Sequence, residues 1–204
     1  MQASLLIQFA KAPVAGQVKT RMLPALSPEQ ALSLHSDLVD WTCRSLVDAN
    51  LGPVELAVTG DTRAPLFEHC RQLGVTAVRE QRGQDLGQRM FNALADGLGR
   101  FRKVVLVGSD CPQIDASYLA QAIALLDDNE VVLGPADDGG YVLIGVTGLN
   151  EQWFEDIRWG SATVYADTIA RLDASGSRWS ALPVLQDIDR PEDLPVWHAL
   201  AGAG

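Results

Sequence analysis

The regular alternation of short apolar runs with longer helical segments constrains the fold of this sequence more than any other feature. The short runs are rich in Val, Ile and Leu, whereas the longer segments place apolar residues three or four positions apart. This alternation is typical of an α/β protein in which a mostly parallel sheet is covered by helices on both faces. We predict strands over residues 4–9, 54–59, 75–79, 104–107, 131–133, 141–146 and 182–185.

The helices between these strands have recognisable ends. Residues 27–30, Ser-Pro-Glu-Gln, have the pattern of a capping box with Pro28 at the first helical position. Further helices are predicted over residues 65–73 and 85–101, from Asp115 onward, and after Glu192. Residues 150–176 are the least regular part of the chain and are predicted to form a lid or an excursion at the edge of the sheet.

The composition argues against several classes of protein. The formal net charge of −10 disfavours binding to nucleic acid. The apolar stretch over residues 5–10 is too short for a secretory signal or a membrane span, so we expect a cytoplasmic protein with no integral membrane segment. The cysteines form no C-x-x-C pair and the histidines show no zinc-ligand spacing. Because no linker or repeat divides residues 1–204, we expect a single domain.

The loop after the first strand is basic, although the chain as a whole is acidic. Residues 1–28 contain Lys11, Lys19 and Arg21 but no acidic residue. In an open α/β sheet, ligands bind beyond the carboxyl ends of the strands, which is where this loop is expected. Lys19 would act as a point charge and Arg21 as a bidentate fork for a di- or triphosphate, with Gly16 allowing the backbone to approach closely. A solvated basic surface loop is the alternative.

Two common phosphate-binding motifs are missing from this loop. In a Walker A motif glycine directly precedes lysine, whereas two residues separate Gly16 from Lys19. No G-x-G-x-x-G follows the first strand, so P-loop NTPases and NAD-dependent Rossmann enzymes are both disfavoured. Arg89, in the third predicted helix, is a further candidate for a phosphate or base contact. A solvated or acid-paired arginine is its alternative interpretation.

Carboxylates follow three of the predicted strands. Asp110 comes after the apolar run 104–107, Asp137 and Asp138 follow the run 131–133, and an Asp-Ile-Asp segment at 187–189 follows the last predicted strand. Because the carboxyl ends of parallel strands meet at one edge of a sheet, we expect these carboxylates to converge beside the basic loop. Carboxylate and phosphate oxygens suit a hard divalent cation such as Mg²⁺, and together with the basic loop they indicate a nucleotide substrate.

Each of these carboxylates has a structural alternative. Asp110 could merely turn the chain, and Asp138 could form an Asx turn before Gly139. Asp189 is followed by Glu192 three positions later, which is the pattern of a helix N-cap. Capping is therefore the favoured interpretation of Asp189, which leaves it a weaker candidate for a second metal ligand.

Four segments, in order along the chain, resemble one protein family. They are Phe-Ala-Lys-Ala-Pro and Gly-Gln-Val-Lys-Thr-Arg within residues 9–21, Gly-Ser-Asp-Cys-Pro at 108–112, Gly-Pro-Ala-Asp-Asp-Gly-Gly-Tyr at 134–141, and Asp-Ile-Asp-x-Pro-Glu-Asp-Leu at 187–194. The family is DUF2064, also called radical-SAM/selenodomain-associated transferase 1. It lies within the glycosyltransferase-A-like nucleotide-diphospho-sugar transferases.

The resemblance implies a three-layer α/β/α sandwich of the glycosyltransferase-A-like, Rossmann-like type. It also implies that the first loop binds a nucleotide or nucleotide sugar and that Asp110 holds a divalent cation. Phospholactate guanylyltransferases and molybdenum-cofactor nucleotidyltransferases are more distantly similar, and their first loop is rich in glycine, whereas this one has Gly16 alone. The D-x-D metal motif of typical glycosyltransferases is matched only in part, because Gly108 stands in place of the first acid.

Three functions remain open at this stage. The first is a metal-dependent, glycosyltransferase-like enzyme that passes a sugar from a nucleoside-diphosphate sugar to a small-molecule or lipid-like acceptor. Lys11, Lys19 and Arg21 would hold the diphosphate. Asp110 would hold Mg²⁺ or Mn²⁺, and Asp138 would serve as a second ligand or as the general base. The second is a nucleotidyltransferase that moves an NMP from an NTP to a phosphorylated small molecule and releases pyrophosphate. The third is a nucleotide-binding module without turnover. The base, the sugar, the acceptor and the oligomeric state are not predicted.

Overall fold

A computed structural model describes residues 2–23 and 25–202. The strands are β1 Gln2–Lys11, β2 Val54–Thr59, β3 Ala77–Glu80, β4 Phe101–Val107, β5 Val131–Pro135, β6 Tyr141–Val146 and β7 Trp179–Ala181. The α-helices are α1 Pro28–Ala49, α2 Pro65–Leu73, α3 Leu86–Leu98, α4 Ala116–Leu125, α5 Val164–Ala174 and α6 Leu194–Ala201. Short 3-10 helices cover Thr20–Met22, Glu151–Phe154 and Pro191–Asp193.

The seven strands form one sheet in the order β3-β2-β1-β4-β6-β5-β7. Strand β6 is antiparallel to both of its neighbours, and all the other pairs are parallel. The predicted α/β class with a mostly parallel sheet is therefore confirmed.

Helices cover both faces of this sheet. Along β1, Leu6 packs on one face with residues of α1, α2 and α4, whereas Leu5 and Ile7 pack on the other face with residues of α3 and α5. Side chains of a strand alternate between the two faces, so a strand buried on both sides is apolar at nearly every position. This arrangement confirms the three-layer sandwich. A smaller apolar cluster joins α1 to α6 and contains the buried residues Ile188 and Trp197.

The start of α1 matches the predicted capping box. The hydroxyl of Ser27 accepts a hydrogen bond from the backbone N–H of Gln30 at 3.2 Å, and the side-chain oxygen of Gln30 accepts one from the N–H of Ser27 at 2.8 Å. Asp115 caps α4 in a similar way by accepting the N–H of Tyr118 at 2.8 Å. These local patterns could be read from sequence because each involves residues only three positions apart.

Three predicted elements differ most from the structure, and the bounds of β1, β3, β4 and β5 differ by up to three residues. The irregular segment 150–176 contains helix α5, whose buried residues Val164, Thr168 and Leu172 recur every four positions along one face. The last strand is Trp179–Ala181 rather than residues 182–185, because Pro183 has no N–H to donate to a neighbouring strand. Helix α3 ends at Leu98, three residues before the predicted end, and its C-cap Gly99 leads into β4.

The topology brings four connecting segments to one edge of the sheet. Strands β1, β4, β5 and β7 all end at this edge, and the reversed strand β6 begins there. We call it the carboxyl edge. Among residues 2–23 and 25–202, no helix is long and apolar enough to cross a membrane.

Candidate functional site

Backbone hydrogen bonds tie the segments of the carboxyl edge together. The N–H of Ile188, after β7, donates to the carbonyl oxygen of Asp110, after β4, at 2.7 Å. The N–H of Asp137, between β5 and β6, donates to the carbonyl oxygen of Leu185 at 3.1 Å. The acidic segments that follow three strands therefore lie side by side, as the strand-end pattern predicts.

Lys19 crosslinks two of these segments to the first loop. Its backbone has a left-handed conformation with φ of 49°, and its side chain is only 3% exposed. The ammonium group lies 2.7 Å from Oδ1 of Asp110 and donates a hydrogen bond to the carbonyl oxygen of Ile188. The Asp110 side chain is 47% exposed, so Lys19 fixes one carboxylate oxygen while the side chain stays open to a ligand.

Arg21 lies on the same loop but is open to solvent. Its side chain is 53% exposed and donates a hydrogen bond to the carboxylate of Asp189. This hydrogen bond and the charge of Asp189 raise the pKa of Arg21, and the charges of Asp138 and Asp187 raise it further. Arg21 thus lies within electrostatic range of three carboxylates.

Asp187 is the most perturbed acid of the site. Burial and the negative charges of Asp138, Asp110 and Asp189 raise its pKa to about 7, against the opposing effect of Lys19. The sequence pattern placed Asp187 in the converging acidic segment 187–189, but only Asp189 of that segment was assigned a role. The alternation of acidic and apolar residues over 187–189 was the sequence signal for a role of Asp187. Because the apolar Ile188 is fully buried against α1 and α6, the acidic residues on either side of it turn toward the site.

Asp138 forms the Asx turn that was its structural alternative. Its Oδ1 accepts a hydrogen bond from the N–H of Gly140 at 2.8 Å. Gly139 has a φ of 89°, and a side chain there would meet the carbonyl oxygen of Ala162 at 2.1 Å, so glycine is required at this turn. Asp138 is exposed and lines neither of the cavities described below, although its charge acts on Asp187 and Arg21.

The prediction that Asp189 mainly caps a helix is wrong. The carboxylate of Asp193 accepts the N–H groups of Asp189 at 3.0 Å and Arg190 at 2.7 Å, so Asp193 holds this turn together. The acceptor therefore lies inside the 3-10 helix instead of before it. The Asp189 carboxylate is bonded to Arg21.

Two cavities meet at the carboxyl edge. The charged cavity, of about 230 Å³, is lined by Lys11, Lys19, Arg21, His35, Asp110 and Asp189 and three further residues of the first loop. The apolar cavity, of about 340 Å³, is walled by side chains such as Phe9, Met90 and Ile144. Lys11, His35 and Asp110 line both cavities, so the two cavities are adjacent at these three residues, and we call this place the joint.

Lys11, Arg89 and Gly16, which were also predicted to bind phosphate, differ in their positions relative to the two cavities. The amine of Lys11 donates to the carbonyl oxygen of Gln17 at 2.8 Å, on the same loop. Arg89 lines the apolar cavity and donates to the carbonyl oxygen of Gly83 at 3.1 Å. Gly16 has a φ of 73° in an exposed turn and is not among the residues that line either cavity. Lys11 therefore lines both cavities and Arg89 lines the apolar cavity, whereas Gly16 lines neither.

His35 was not singled out from the sequence. It lies on α1, is 6% exposed, and places Nε2 2.9 Å from the carbonyl oxygen of Lys11. Burial lowers its pKa, which the hydrogen bond to Lys11 and the charge of Asp110 oppose in part. In the sequence His35 occupies an ordinary inward-facing position of a helix, so only the folded structure brings it to the site.

The donor set fits a divalent cation that is shared with a ligand. Within the described residues, no group of three or more His, Cys, Asp or Glu side chains is placed to hold a metal ion. Mg²⁺ usually takes one or two protein carboxylates and completes its shell with water and substrate phosphates. Asp110, with its exposed carboxylate among three other acids, meets this requirement.

Comparison with protein-family models identifies DUF2064, described as an uncharacterized protein conserved in bacteria, over residues 42–161. This match includes Asp110 and Asp138 but not the first loop or residues 187–194. Comparison with curated proteins gave no match.

Solved structures extend the likeness to nearly the whole chain. A protein of Desulfovibrio desulfuricans G20, provisionally named a nucleotide-diphospho-sugar transferase, is 30% identical with a TM-score of 0.87, over 97% of this chain and 87% of that one. The inositol-1-phosphate CTP transferase of T. maritima is 15% identical with a TM-score of 0.65, over 98% of this chain and 96% of that one. Rv0371c of Mycobacterium tuberculosis H37Rv, solved with manganese, is 17% identical with a TM-score of 0.53, over 96% and 97% of the two chains.

The likeness to the D. desulfuricans protein confirms the transferase class and the glycosyltransferase-A-like fold that the sequence motifs indicate. The T. maritima enzyme shares the fold. The motifs of the first loop and of residues 187–194 lie outside the family match, but both are covered by the structural alignment with the D. desulfuricans protein. The chain belongs to the DUF2064 family.

Proposed function

We propose that this protein is a metal-dependent transferase that uses a nucleoside-diphosphate sugar as donor. The observation that carries the proposal is the junction of the charged and apolar cavities at Asp110. A nucleoside diphosphate also has two unlike ends, an anionic diphosphate and a flat aromatic base whose faces pack against apolar side chains. The name of the D. desulfuricans relative supports the donor class.

The charged cavity suits the diphosphate. Lys11 and Arg21 line it with exposed side chains, and each bonds to one partner of the chain itself, Gln17 or Asp189. A guanidinium group has five N–H donors in a planar fork, so Arg21 can bind a phosphate while it keeps Asp189. Lys19 is too deeply buried for the same task, and we assign it the positioning of Asp110.

Asp110 would hold Mg²⁺ or Mn²⁺ together with phosphate oxygens, and the cation would stabilise the negative charge that develops on the leaving diphosphate. Asp189 lines the same cavity as Asp110, whereas Asp138 does not, so Asp189 is the better candidate for a second ligand. The manganese complex of Rv0371c, which has a similar fold, is consistent with this assignment.

Asp138 is assigned to the acceptor. It is exposed, and one of its oxygens is fixed by the N–H of Gly140. The other oxygen would accept the proton of the acceptor hydroxyl as that hydroxyl attacks the anomeric carbon. The acceptor is a hydroxylated small molecule or lipid-like compound.

A thermal-shift panel tests the donor class. The panel comprises GDP, UDP, CDP, ADP and their sugar conjugates, each with and without Mn²⁺. One nucleotide series is expected to raise the melting temperature only when Mn²⁺ is present, because a ligand that binds the folded state stabilises it. A panel in which no nucleotide changes the melting temperature would contradict the proposal.

Nucleotidyl transfer is the alternative that the same site would allow, and cytidylyltransferases share this fold. Incubation with each NTP and an assay for pyrophosphate separates the two reactions. Sustained pyrophosphate release that requires an added phosphorylated acceptor would replace the glycosyl proposal. Binding without turnover of any donor would favour a nucleotide-binding module.

A further inference from the structure

One imidazole lies at the joint of the two cavities and has no role in the proposed function. His35 lines both the charged cavity and the apolar cavity while remaining 6% exposed. The other two residues of the joint, Lys11 and Asp110, are charged and bonded to Gln17 and Lys19. His35 is therefore the uncharged polar group at this place.

The hydrogen bond of His35 fixes the position of its proton. Nε2 lies 2.9 Å from the carbonyl oxygen of Lys11, and a carbonyl oxygen can only accept, so Nε2 carries the hydrogen. In a neutral imidazole the other nitrogen, Nδ1, is then an acceptor. Burial, with the charges of Lys19 and Lys11, lowers the pKa of His35 against the opposing Lys11 hydrogen bond and Asp110 charge, which favours the neutral ring.

Nδ1 of His35 is open to a ligand. It has no hydrogen-bond partner within the described part of the chain. Among those residues, Oε1 of Gln8 is the one side-chain nitrogen or oxygen that is both buried and unpartnered. Nδ1 of His35 also has no partner, but it is not fully buried, so it borders open space. The open space beside His35 is the joint of the two cavities.

The connectivity of a nucleotide identifies the group that would lie here. In a nucleoside diphosphate, the ribose links the base to the diphosphate. A ligand with its base in the apolar cavity and its diphosphate in the charged cavity therefore places the ribose at the joint. The ribose brings hydroxyl groups, which are hydrogen-bond donors, to an acceptor that lacks a partner.

We propose that Nδ1 of His35 accepts a hydrogen bond from a ribose hydroxyl, so that the site discriminates against nucleotides that lack that hydroxyl. This inference rests on the proposed function, because it assumes that a nucleotide spans the two cavities. It names a further specificity-determining residue of that site and a narrower ligand class. The Nε2–H of the same ring, by holding the Lys11 carbonyl, keeps the imidazole oriented.

Isothermal titration calorimetry of matched nucleotides tests the inference. The wild-type protein is titrated with ADP, GDP, CDP and UDP and with the 2′-deoxy and 3′-deoxy form of each, in the presence of Mn²⁺. For the base that binds, loss of one of the two hydroxyls is expected to weaken binding about 3- to 10-fold, the range of a neutral hydrogen bond. Equal affinity for the ribose and both deoxyribose forms would overturn the inference.

A variant locates the effect. In His35→Phe, overall affinity falls because the Lys11 carbonyl loses its donor, but the ratio of ribose to deoxyribose affinity is expected to fall to within about 2-fold of unity. His69→Phe is the matched control, since His69 lies on α2 beside Asp40, and it is expected to keep the wild-type ratio. A wild-type ratio in His35→Phe would contradict the assignment to this residue. If His35→Phe does not fold, the wild-type titrations still decide the ribose preference, and His35→Leu, which also lacks an acceptor, repeats the ratio test.

Different results would contradict nucleotide binding at the site and the role of His35. No binding of any nucleotide, ribose or deoxyribose, contradicts the proposed function itself. Binding that ignores the sugar hydroxyls contradicts only the assignment of His35.

Discussion

Two clusters of charge lie at opposite edges of the sheet, and they are built differently. At the edge where the parallel strands begin, which we call the amino edge, Glu55 of β2 is 6% exposed. It accepts hydrogen bonds from the guanidinium groups of Arg79 and Arg100. At the carboxyl edge, Asp110, Asp138, Asp187 and Asp189 share Lys19 and Arg21. The amino-edge cluster has more positive than negative charge, whereas the carboxyl-edge cluster has more negative than positive.

The pKa values record this difference. Burial opposes the ionisation of Glu55, but hydrogen bonds from Arg100 and Arg79 outweigh it, so the pKa of Glu55 is lowered. Burial and neighbouring acids raise the pKa of Asp187 to about 7. A cluster that satisfies its own charges stabilises the fold, whereas one that retains excess negative charge is suited to a cation and a phosphorylated ligand.

The largest effect is expected from Asp110→Asn. This change keeps the shape of the side chain but removes the charge that would hold the cation, so transfer activity should fall on the order of 100-fold. The readout is turnover of the donor identified by the thermal-shift panel, at several Mn²⁺ concentrations. Asp127→Asn, at an exposed residue bonded to Lys103, is the control and should keep full activity. Activity of Asp110→Asn within about twofold of wild type would contradict the assigned role.

Arg21→Gln should weaken binding of the nucleoside diphosphate about 10-fold, because a hydrogen bond to a charged group contributes about 1.5–3 kcal/mol. Calorimetry provides the measurement. Arg82→Gln removes another exposed, acid-paired arginine, bonded to Asp96, and should leave the affinity unchanged. Equal losses in the two variants would mean that overall charge, and not the position of Arg21, governs binding.

Glu55→Gln should lower the free energy of unfolding by about 2 kcal/mol, because it leaves two guanidinium groups without their buried partner. Because the pKa of Glu55 is lowered, the stabilisation is present above its unperturbed value of 4.5 and is lost as the pH falls through the folded-state value. The difference between variant and wild type should therefore shrink below about pH 4.5. Glu68→Gln, in an exposed pair with Arg71, is the control in urea titrations and should have little effect at any pH. A difference that grows toward acid pH would contradict the sign of this linkage.

Asp187→Asn should have the opposite sign and a smaller size. Removing one carboxylate from a crowded group should raise the free energy of unfolding of the unliganded protein by about 1 kcal/mol at pH 8. The measurement is a urea titration in EDTA, with the exposed Asp128→Asn as the control. Destabilisation by Asp187→Asn would mean that the carboxyl-edge acids are mutually satisfied, and the contrast between the two clusters would disappear.

The carboxyl-edge half of this contrast could be predicted from sequence, whereas the amino-edge cluster around Glu55 was not predicted. Asp110, Asp138 and Asp189 each follow a predicted strand, and the carboxyl ends of parallel strands meet at one edge of a sheet. The alternation of strands and helices indicates that the strands are mostly parallel, so these three residues could be placed at one edge. The basic character of the first loop was visible in the charge pattern of residues 1–28. These inferences need only the order of elements along the chain.

The partners of the charged groups could not be predicted. Lys19 is buried, and its ammonium group pairs with Asp110, 91 positions later, and with the carbonyl oxygen of Ile188, 169 positions later. No local sequence pattern predicts such distant partners. At the start of the last helical segment, the carboxylate of Asp193, and not that of Asp189, accepts the backbone N–H groups. The sequence alone does not distinguish these two nearby acids as acceptors. His35 shows the same limit, since a helix periodicity marks it as inward-facing without saying what it faces.

Location of the cation and the diphosphate tests the central claim most directly. Crystals soaked with Mn²⁺ and the nucleoside diphosphate that binds best would give the position of manganese from its anomalous signal. The account predicts manganese within about 2.5 Å of an Asp110 carboxylate oxygen, with the diphosphate between it and the side chains of Lys11 and Arg21. Manganese or diphosphate bound away from the carboxyl edge, with Asp110 still paired to Lys19 alone, would contradict it.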